Sequence, residues 1–266
     1  MAEEQEGNSN GKTSAPQWAT QPFHDFINQT ERIAQLMDLS VKGISMLRGL
    51  PKIVEVLAKV ENGSVEEGNY SLERAKKEAE LAQREVDEGF PLLHSQATIA
   101  LWSALEATIR LFIVRWLQNY KEAMEVEVIQ RLRVRIGDYE RLEDEDRFFY
   151  ILDRLDQELS APLKNGITRF ELLLEPFGLS GQVEKDVKHN LFELNNVRNS
   201  LVHRSGLADR RLIDSCPWLK LTVGDPVKID YEMINKYFQS VMKYGMELIV
   251  RIAEHFGVDM AEFRSN

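Results

Sequence analysis

The residues of this sequence best suited to chemistry are Asn195, Arg198, Asn199 and His203, which lie close together near the end of one predicted helix. An imidazole can exchange a proton near neutral pH, a guanidinium can hold a phosphate through two parallel donors, and an amide can orient either partner. Together these groups suit phosphoryl chemistry that needs no metal. Arginine and histidine are also common near helix C-termini for stability alone, because cations there interact favourably with the helix dipole. Spacing by itself therefore leaves a catalytic and a structural interpretation open.

The helix expected over Lys185 to His203 must position these side chains. At about 100° per residue, Asn195, Asn199 and His203 form one row at i, i+4 and i+8. The apolar stripe of this helix consists of Leu191, Leu194, Val197 and Leu201. Arg198 falls at the margin of that stripe, where an arginine has to find an acceptor or face a second surface.

Apolar residues recur at helical spacing along most of the chain, which predicts an all-α fold. Helices are expected over Phe23 to Leu47, Pro51 to Val60, Ser71 to Asp87, Pro91 to Tyr120, Ala123 to Arg135, Glu143 to Leu159, Gly166 to Glu175 and Lys185 to His203. Gly206 is expected to stop the last of these in a left-handed conformation. Asp230 is expected to cap a final helix that runs to about Phe256. Before it, Trp218 to Val223 and Val227 to Ile229 predict a small β-hairpin.

The sequence divides into four predicted regions. Residues 1–21 are polar and acidic and predict a disordered leader. Residues 22–88 predict an N-terminal helical extension, which contains a small, polar linker at Glu61 to Gly68. Residues 89–258 predict the main helical domain, with a further break at Pro162, and 259–266 a C-terminal tail.

Composition narrows the function classes. The single cysteine, Cys216, excludes an internal disulfide and a zinc site built from paired thiolates, and it indicates a reducing, cytoplasmic setting. The formal net charge of -10 argues against a protein that coats nucleic acid, so any such contact has to be local. The apolar stretch from Ala97 to Leu117 carries Glu106, Arg110 and Arg115, which predicts a buried core helix and no membrane span.

The run from Glu193 to His203 reads Glu-Leu-Asn-Asn-Val-Arg-Asn-Ser-Leu-Val-His. It resembles the signature of the HEPN superfamily, which is an Arg, a polar residue, three more residues and a His late in a helix. The upstream helix that contains Ala104-Leu105-Glu106-Ala107 and the long helix after the motif also look like a HEPN bundle. The resemblance covers roughly Phe90 to Phe256. It implies a HEPN-like antiparallel helical bundle, to which the helices before Tyr70 are additions.

Many HEPN proteins are metal-independent endoribonucleases, often toxins or defence effectors, in which two protomers place their motifs around one cleft. The resemblance therefore implies a homodimer that cleaves RNA to 2',3'-cyclic phosphate and 5'-hydroxyl ends without a cofactor, and an antitoxin or regulatory protein as a further partner. In this reading His203 is the general acid or base, Arg198 stabilises the phosphoryl charge and Asn199 positions one or both. Asn195 and Glu106 are expected to support them. Glu106 either pairs with Arg198 or His203 or is a surface carboxylate.

Near the motif, Arg204, Arg210 and Arg211 are expected to bind the RNA backbone. The alternative is that these arginines pair with carboxylates. A different class of function also stays open, because some HEPN domains lack nuclease activity and serve as dimerising, nucleotide-binding or RNA-binding regulatory modules. The intact Arg198, Asn199 and His203 favour the nuclease, whereas the acidic net charge favours the module.

Overall fold

The computed structural model describes residues 14–60, 72–159 and 166–261 of this chain, and most of them are α-helical. The helices in chain order are α1 (Gln17–Leu47), α2 (Leu50–Val60), α3 (Leu72–Glu88), α4 (Pro91–Asn119), α5 (Glu127–Gln130), α6 (Ile136–Tyr139), α7 (Asp144–Glu158), α8 (Ile167–Leu174), α9 (Lys185–His203), α10 (Arg210–Ser215) and α11 (Tyr231–His255). Three short 3-10 helices lie at Lys121–Glu125, Glu175–Phe177 and Pro217–Leu219. These ranges contain no β-strand, so the all-α expectation is confirmed for them.

Most predicted helix bounds lie within one or two residues of the observed ones. The largest difference at a helix end is in α1, which begins at Gln17, inside the segment predicted as a disordered leader. Residues 1–13 of that leader, the linker at Glu61 to Gly68, the break at Pro162 and the last five residues of the predicted tail lie outside the described residues. The boundary predicted between 88 and 89 stays a prediction.

The single helix predicted over Ala123 to Arg135 is wrong. The chain forms the 3-10 helix Lys121–Glu125, becomes extended at Val126, forms the single turn α5 and is extended again at Arg135 before α6. Among the described residues of this stretch, only Ala123 and Ile129 are buried. A continuous helix here would gain little from packing, and the β-branched Val126 favours the extended conformation.

The predicted β-hairpin is also wrong. Pro217 begins a 3-10 helix that ends at Lys220 in a left-handed conformation, with φ of 53°. The Asp225 side chain then accepts hydrogen bonds from the backbone N–H of Thr222 at 2.7 Å and from its hydroxyl at 2.8 Å. These contacts turn the chain, but within the described residues the segments before and after this turn form no strands.

Residues 224–227 pair instead with the loop that follows α9. An isolated antiparallel bridge joins Leu207 and Pro226, and Val227 N donates to Gly206 O at 2.8 Å. Ala208 N donates to Asp225 O at 2.8 Å. The loop after α9 is therefore held by backbone hydrogen bonds to a segment about twenty residues later in the chain.

The chain folds as two compact units, each built from separate stretches. The first unit comprises Met1–Phe26, Ala107–Val183 and Lys243–Asn266. Its core includes the fully buried Trp116, whose ring contacts those of Trp18, Phe112, Tyr120, His255 and Phe256. Close packing continues at Gly245 of α11, where a Cβ would lie 2.7 Å from Cε1 of Phe26.

A buried ion pair also lies in this unit. The Arg251 side chain, 8% exposed, donates from one guanidinium nitrogen to both carboxylate oxygens of Glu171, at 2.9 and 3.0 Å. Its Nε donates to Glu247 at 3.0 Å, and the buried Tyr244 hydroxyl donates to Glu171 at 2.7 Å. The buried charges are thus matched and hydrogen bonded, as burial requires.

The second unit comprises Ile27–Glu106 and Glu184–Met242. Its core brings together residues from the first half of α4, from α9 and from the first half of α11, namely Leu101, Leu105, Leu191, Leu194, Val197, Ile234, Tyr237 and Val241. The loop before α11 is fixed to α4, because Nδ1 of the buried His94 lies 2.9 Å from the carbonyl oxygen of Ile229. The backbone N–H of Met233 donates to Asp230 at 2.8 Å, which confirms Asp230 as the cap of α11.

Helix α4 is the most apolar element. Among the described residues it is the one helix long and apolar enough to cross a membrane by length and composition, and core helices of soluble proteins share these properties. Much of α4 is buried in the structure. Its Arg110 donates to Asp153 of α7 at 2.5 Å, so one of its charged side chains already has a partner inside the protein.

Candidate active site

The candidate site lies at the C-terminal end of α9, where the chain leaves the helix sharply. Gly206 adopts φ of +76°, and its N–H reaches back to the carbonyl oxygen of Ser200 at 3.2 Å. Arg204 N donates to the same oxygen at 3.0 Å. The left-handed stop predicted at Gly206 is confirmed, and it directs the following loop back along the last turn of the helix.

The polar row predicted on α9 passes from the interior to solvent. Asn195 is buried, Asn199 is half-buried and His203 is exposed. The helix is surrounded by protein over most of its length, since Glu193, Asn196 and Ser200 are buried as well as its apolar residues. The exposed side chains of α9 thus lie at its two ends, and of the predicted polar row only the residue in the last turn is open to bulk water.

A cavity of about 280 Å³ opens beside this last turn. One wall is formed by α9 and the other by the loop after it and the start of α10. The lining residues are Asn196, Asn199, Ser200, His203, Arg204, Asp209, Arg211 and Leu212. The cavity thus joins two of the three predicted catalytic residues, Asn199 and His203, to two of the three arginines predicted to bind RNA.

Arg198 reaches this cavity only through its neighbour. Its Nη1 donates to Oδ1 of Asn199 at 3.2 Å, and Asn199 itself lines the cavity. The Nε of Arg198 is buried without a hydrogen-bond partner. The guanidinium is therefore held at the edge of α9 by an amide, with donor capacity left over.

Asp209 sets the charge balance of the loop. Its Oδ1 accepts from Leu212 N at 2.9 Å and so caps α10, and its Oδ2 accepts from Arg204 Nε at 3.2 Å. The Leu212 N–H, followed by the nearby Arg204 and Arg211 guanidinium groups, lowers the pKa of Asp209 below its ordinary value. Arg204 thus pairs with a carboxylate, which is the alternative to RNA binding for the arginines near the motif.

The remaining predicted residues lie elsewhere. Asn195 is buried and does not line the cavity, and neither does Arg210, which is exposed at the start of α10. Glu106 is half-buried on α4 and is not a lining residue either. Their predicted supporting and RNA-binding roles stay predictions.

Sequence reasoning missed four lining residues, Asn196, Ser200, Asp209 and Leu212. Asn196 and Ser200 form a second polar pair at i and i+4, directly beside the row of Asn195 and Asn199, and this was the available signal. Asp209 precedes Arg210 at a helix start, where an aspartate is a preferred cap.

Sequence reasoning also missed a buried carboxylate below the site. Glu193 is 1% exposed and accepts hydrogen bonds from Trp218 Nε1, from Lys236 Nζ at 2.8 Å and from the Tyr237 hydroxyl at 2.8 Å. Burial, reinforced by Glu193, raises the pKa of Tyr237 well above its ordinary value. Burial likewise raises the pKa of the Cys216 thiol to about 12. Helical spacing gave no signal for this cluster, because the neighbours of Glu193 along α9 include His189, Asn190 and Asn196.

Among the side chains that the structure describes, no group of three or more His, Cys, Asp and Glu residues is placed to hold a metal ion.

Comparison with family models, with curated proteins and with solved structures finds no match to this chain. Function is therefore inferred from the chemistry of the cavity and from the motif at its edge.

Proposed function

We propose that this protein is a metal-independent endoribonuclease of the HEPN type, active as a cytoplasmic homodimer. In this proposal its helices form a HEPN-like bundle. It cleaves RNA by attack of the 2'-hydroxyl, leaves 2',3'-cyclic phosphate and 5'-hydroxyl ends, and acts as a toxin or defence effector. An antitoxin or another regulatory protein is the further partner.

The observation that carries the proposal is the position of Asn199. Its side chain accepts a hydrogen bond from Arg198 and also lines the same cavity as the exposed His203. A guanidinium, an amide and an imidazole thus stand in sequence along one helix end. This is the arrangement that charge stabilisation and proton transfer on a phosphodiester require.

In the proposed reaction the imidazole of His203 takes the proton of the ribose 2'-hydroxyl. The O2' oxygen then forms a bond to phosphorus while the bond from phosphorus to the 5'-oxygen breaks. The leaving 5'-oxygen receives a proton from an imidazolium, for which the second copy of His203 in a dimer is the candidate. Arg198 stabilises the negative charge on the phosphoryl oxygens in the transition state.

The dimer is proposed because Arg198 is bound to the cavity-lining Asn199 but does not itself line the cavity of its own chain. A second copy of α9 is therefore the candidate that completes the site around a phosphate. Light scattering of the purified chain at micromolar concentration is expected to give the mass of a dimer, and the mass of a monomer would contradict this part of the proposal.

The test is incubation of purified protein with total RNA in EDTA, followed by denaturing gels and analysis of the new ends. The wild type is expected to cleave RNA and to leave DNA of the same sequence intact, because DNA lacks the attacking hydroxyl. His203→Ala and Arg198→Ala are each expected to lower the cleavage rate by about a hundredfold or more.

A matched control is His24→Ala, because His24 is an exposed histidine on α1 outside the cavity. It is expected to cleave like the wild type, and circular dichroism is expected to show the same helical content in all variants. Cleavage at wild-type rate by both His203→Ala and Arg198→Ala would remove these residues from the mechanism.

A second candidate function is a non-catalytic module that binds RNA or a nucleotide and regulates a partner. It is favoured by the ion pair of Arg204 with Asp209, which neutralises one of the cationic side chains at the cavity, and by the net charge of -10. Filter binding with the same RNA separates the two candidates, because the module is expected to retain RNA that it does not cut.

A further inference from the structure

The floor of the cavity is made of two buried polar side chains. Asn196 is 3% exposed and Ser200 is 4% exposed, and both line the cavity. The amide nitrogen of Asn196 donates to the carbonyl oxygen of Phe192 at 2.8 Å, which leaves its Oδ1 free to accept. Within the described part of the chain, no side-chain hydrogen bond to another protein group is found for this Oδ1 or for the Ser200 hydroxyl, and neither atom is among the fully enclosed polar atoms that lack a partner, so both are accessible from the cavity.

Two accessible hydrogen-bonding groups without a protein partner, on the floor of one cavity, can orient a polar ligand there. The Asn196 amide nitrogen carries two N–H groups and uses one of them on Phe192, so the side chain offers a ligand one donor and its acceptor oxygen. The Ser200 hydroxyl can donate or accept.

The rim of the cavity has the opposite character. His203, Arg204 and Arg211 are exposed there, with Asp209 beside Arg204. Guanidinium groups bind phosphate oxygens well, whereas the neutral amide and hydroxyl on the floor suit a neutral polar group. A ligand that satisfies both ends has an anionic group at the rim and, at the floor, a neutral group with hydrogen-bond donors and acceptors.

We infer that this cavity holds one nucleotide of the RNA at the cleaved position, with its base on Asn196 and Ser200 and its phosphate at the rim. The inference rests on the proposed function and names what selects its substrate. A volume of about 280 Å³ lies just below the usual range for small-molecule sites, which suits a ligand no larger than a single nucleotide. Asn196 and Ser200 are then the residues that determine specificity.

The edge of a base carries donors and acceptors that can pair with the Asn196 amide. Adenine, cytosine and guanine carry an exocyclic amino group, and guanine and uracil also carry a ring N–H. Ribose phosphate has the anion and the sugar but no base. It is therefore the probe that separates recognition of the base from attraction of the phosphate.

The experiment is isothermal titration of the full-length protein with the four nucleoside 3'-monophosphates, with ribose 5-phosphate and with orthophosphate. At least one nucleotide is expected to bind tighter than ribose 5-phosphate. Ser200→Ala is expected to weaken binding of that nucleotide by about fivefold, which is the usual effect of one neutral hydrogen bond, and to leave ribose 5-phosphate binding unchanged. Asn196→Ala is expected to act in the same direction.

The matched control is Asn190→Ala, because Asn190 lies on the same helix and bonds to Ser240 outside the cavity. It is expected to bind nucleotides like the wild type, with thermal melting used to show that each variant is folded. Equal binding of nucleotides, ribose 5-phosphate and orthophosphate would overturn the inference, as would the lack of nucleotide binding by folded protein.

Failure of the proposed function gives a different result. Binding that depends on the base, without any cleavage of RNA, would reject the nuclease and keep the base-recognition site. Cleavage of RNA without base-dependent binding would keep the nuclease and reject the base-recognition site.

Discussion

Lys236 Nζ lies 2.8 Å from Oε1 of Glu193, a carboxylate whose side chain is 1% exposed. The same carboxylate accepts from Tyr237 and from Trp218, so it joins α9 to α11 and to the 3-10 helix Pro217–Leu219. The helix that carries the candidate catalytic residues is thus tied to its neighbours by charge and hydrogen bonds directly below the site. Correct placement of that helix depends on this tie.

Replacing Glu193 is therefore expected to be costly. Glu193→Ala leaves three donors without their acceptor and is expected to lower the free energy of unfolding by about 3 kcal/mol, measured by urea denaturation. Glu193→Gln keeps one acceptor and is expected to lose less. Gln239→Ala, at an exposed position of α11, is the control and is expected to change stability little. A Glu193→Ala variant as stable as this control would show that the cluster contributes nothing.

Two glycines within helices are expected to respond in opposite ways to alanine. Gly43→Ala in α1 meets nothing within 4 Å and is expected to raise the free energy of unfolding by up to about 1 kcal/mol, through helix propensity. Gly245→Ala in α11 places a Cβ 2.7 Å from Cε1 of the buried Phe26 and is expected to destabilise by about 1 to 3 kcal/mol. Thermal melting of both variants checks the pair, and equal shifts in one direction would contradict the packing described for Phe26.

Asp209 is expected to act mainly as a helix cap. Asp209→Ala removes the acceptor for Leu212 N and is expected to cost about 1 kcal/mol. Asp209→Asn can still cap and loses only the ion pair with Arg204, which is partly exposed and worth less. Because the pKa of Asp209 is lowered in the folded protein, its contribution is present above pH 3.8 and is lost as the pH falls through the lowered value. Urea denaturation at pH 7 and at pH 3 measures this loss, and a gap between wild type and Asp209→Asn that stays unchanged at pH 3 would contradict it.

Two buried tyrosines predict a loss of stability at alkaline pH. Burial raises the pKa values of Tyr237 and Tyr244 in the folded protein, and the nearby Glu193 and Glu171 raise them further. Above a pH of about 10 the unfolded chain releases these protons and the folded chain keeps them, so stability falls as the pH rises. Denaturation between pH 8 and pH 11 is expected to show a shallower fall for Tyr237→Phe and Tyr244→Phe. The exposed Tyr231 provides the control variant Tyr231→Phe, whose pH dependence is expected to match that of the wild type.

The long helices could be predicted from the sequence because each has a clear apolar face and a clear end. Both observed ends of α9 were predicted. Asp230 caps α11 and Gly206 ends α9 in a left-handed conformation, as their residue types predict. Both failures occur in segments with apolar residues at suitable spacing. In residues 123–135 too few of these apolar residues are buried. In residues 218–229 local turn contacts, such as that of Asp225, decide the backbone conformation.

The site was predictable only in part. The position of Asn199 and His203 on one face follows from helical spacing, and both line the cavity. The opposite wall comes from the loop after α9, whose course depends on a bridge between Leu207 and Pro226 that joins distant positions of the chain. The pairing of Arg204 with Asp209 follows from that course, and spacing along one helix cannot reveal it.

The Nε of Arg198 is buried without a hydrogen-bond partner, and an unpaired buried donor costs free energy in the folded protein. Methionine has a similar length and no polar atom to leave unsatisfied. A selection for heat resistance alone would therefore replace Arg198, whereas a selection for RNA cleavage would retain it. Opposite outcomes of the two selections at position 198 would separate the effect of Arg198 on stability from its effect on RNA cleavage.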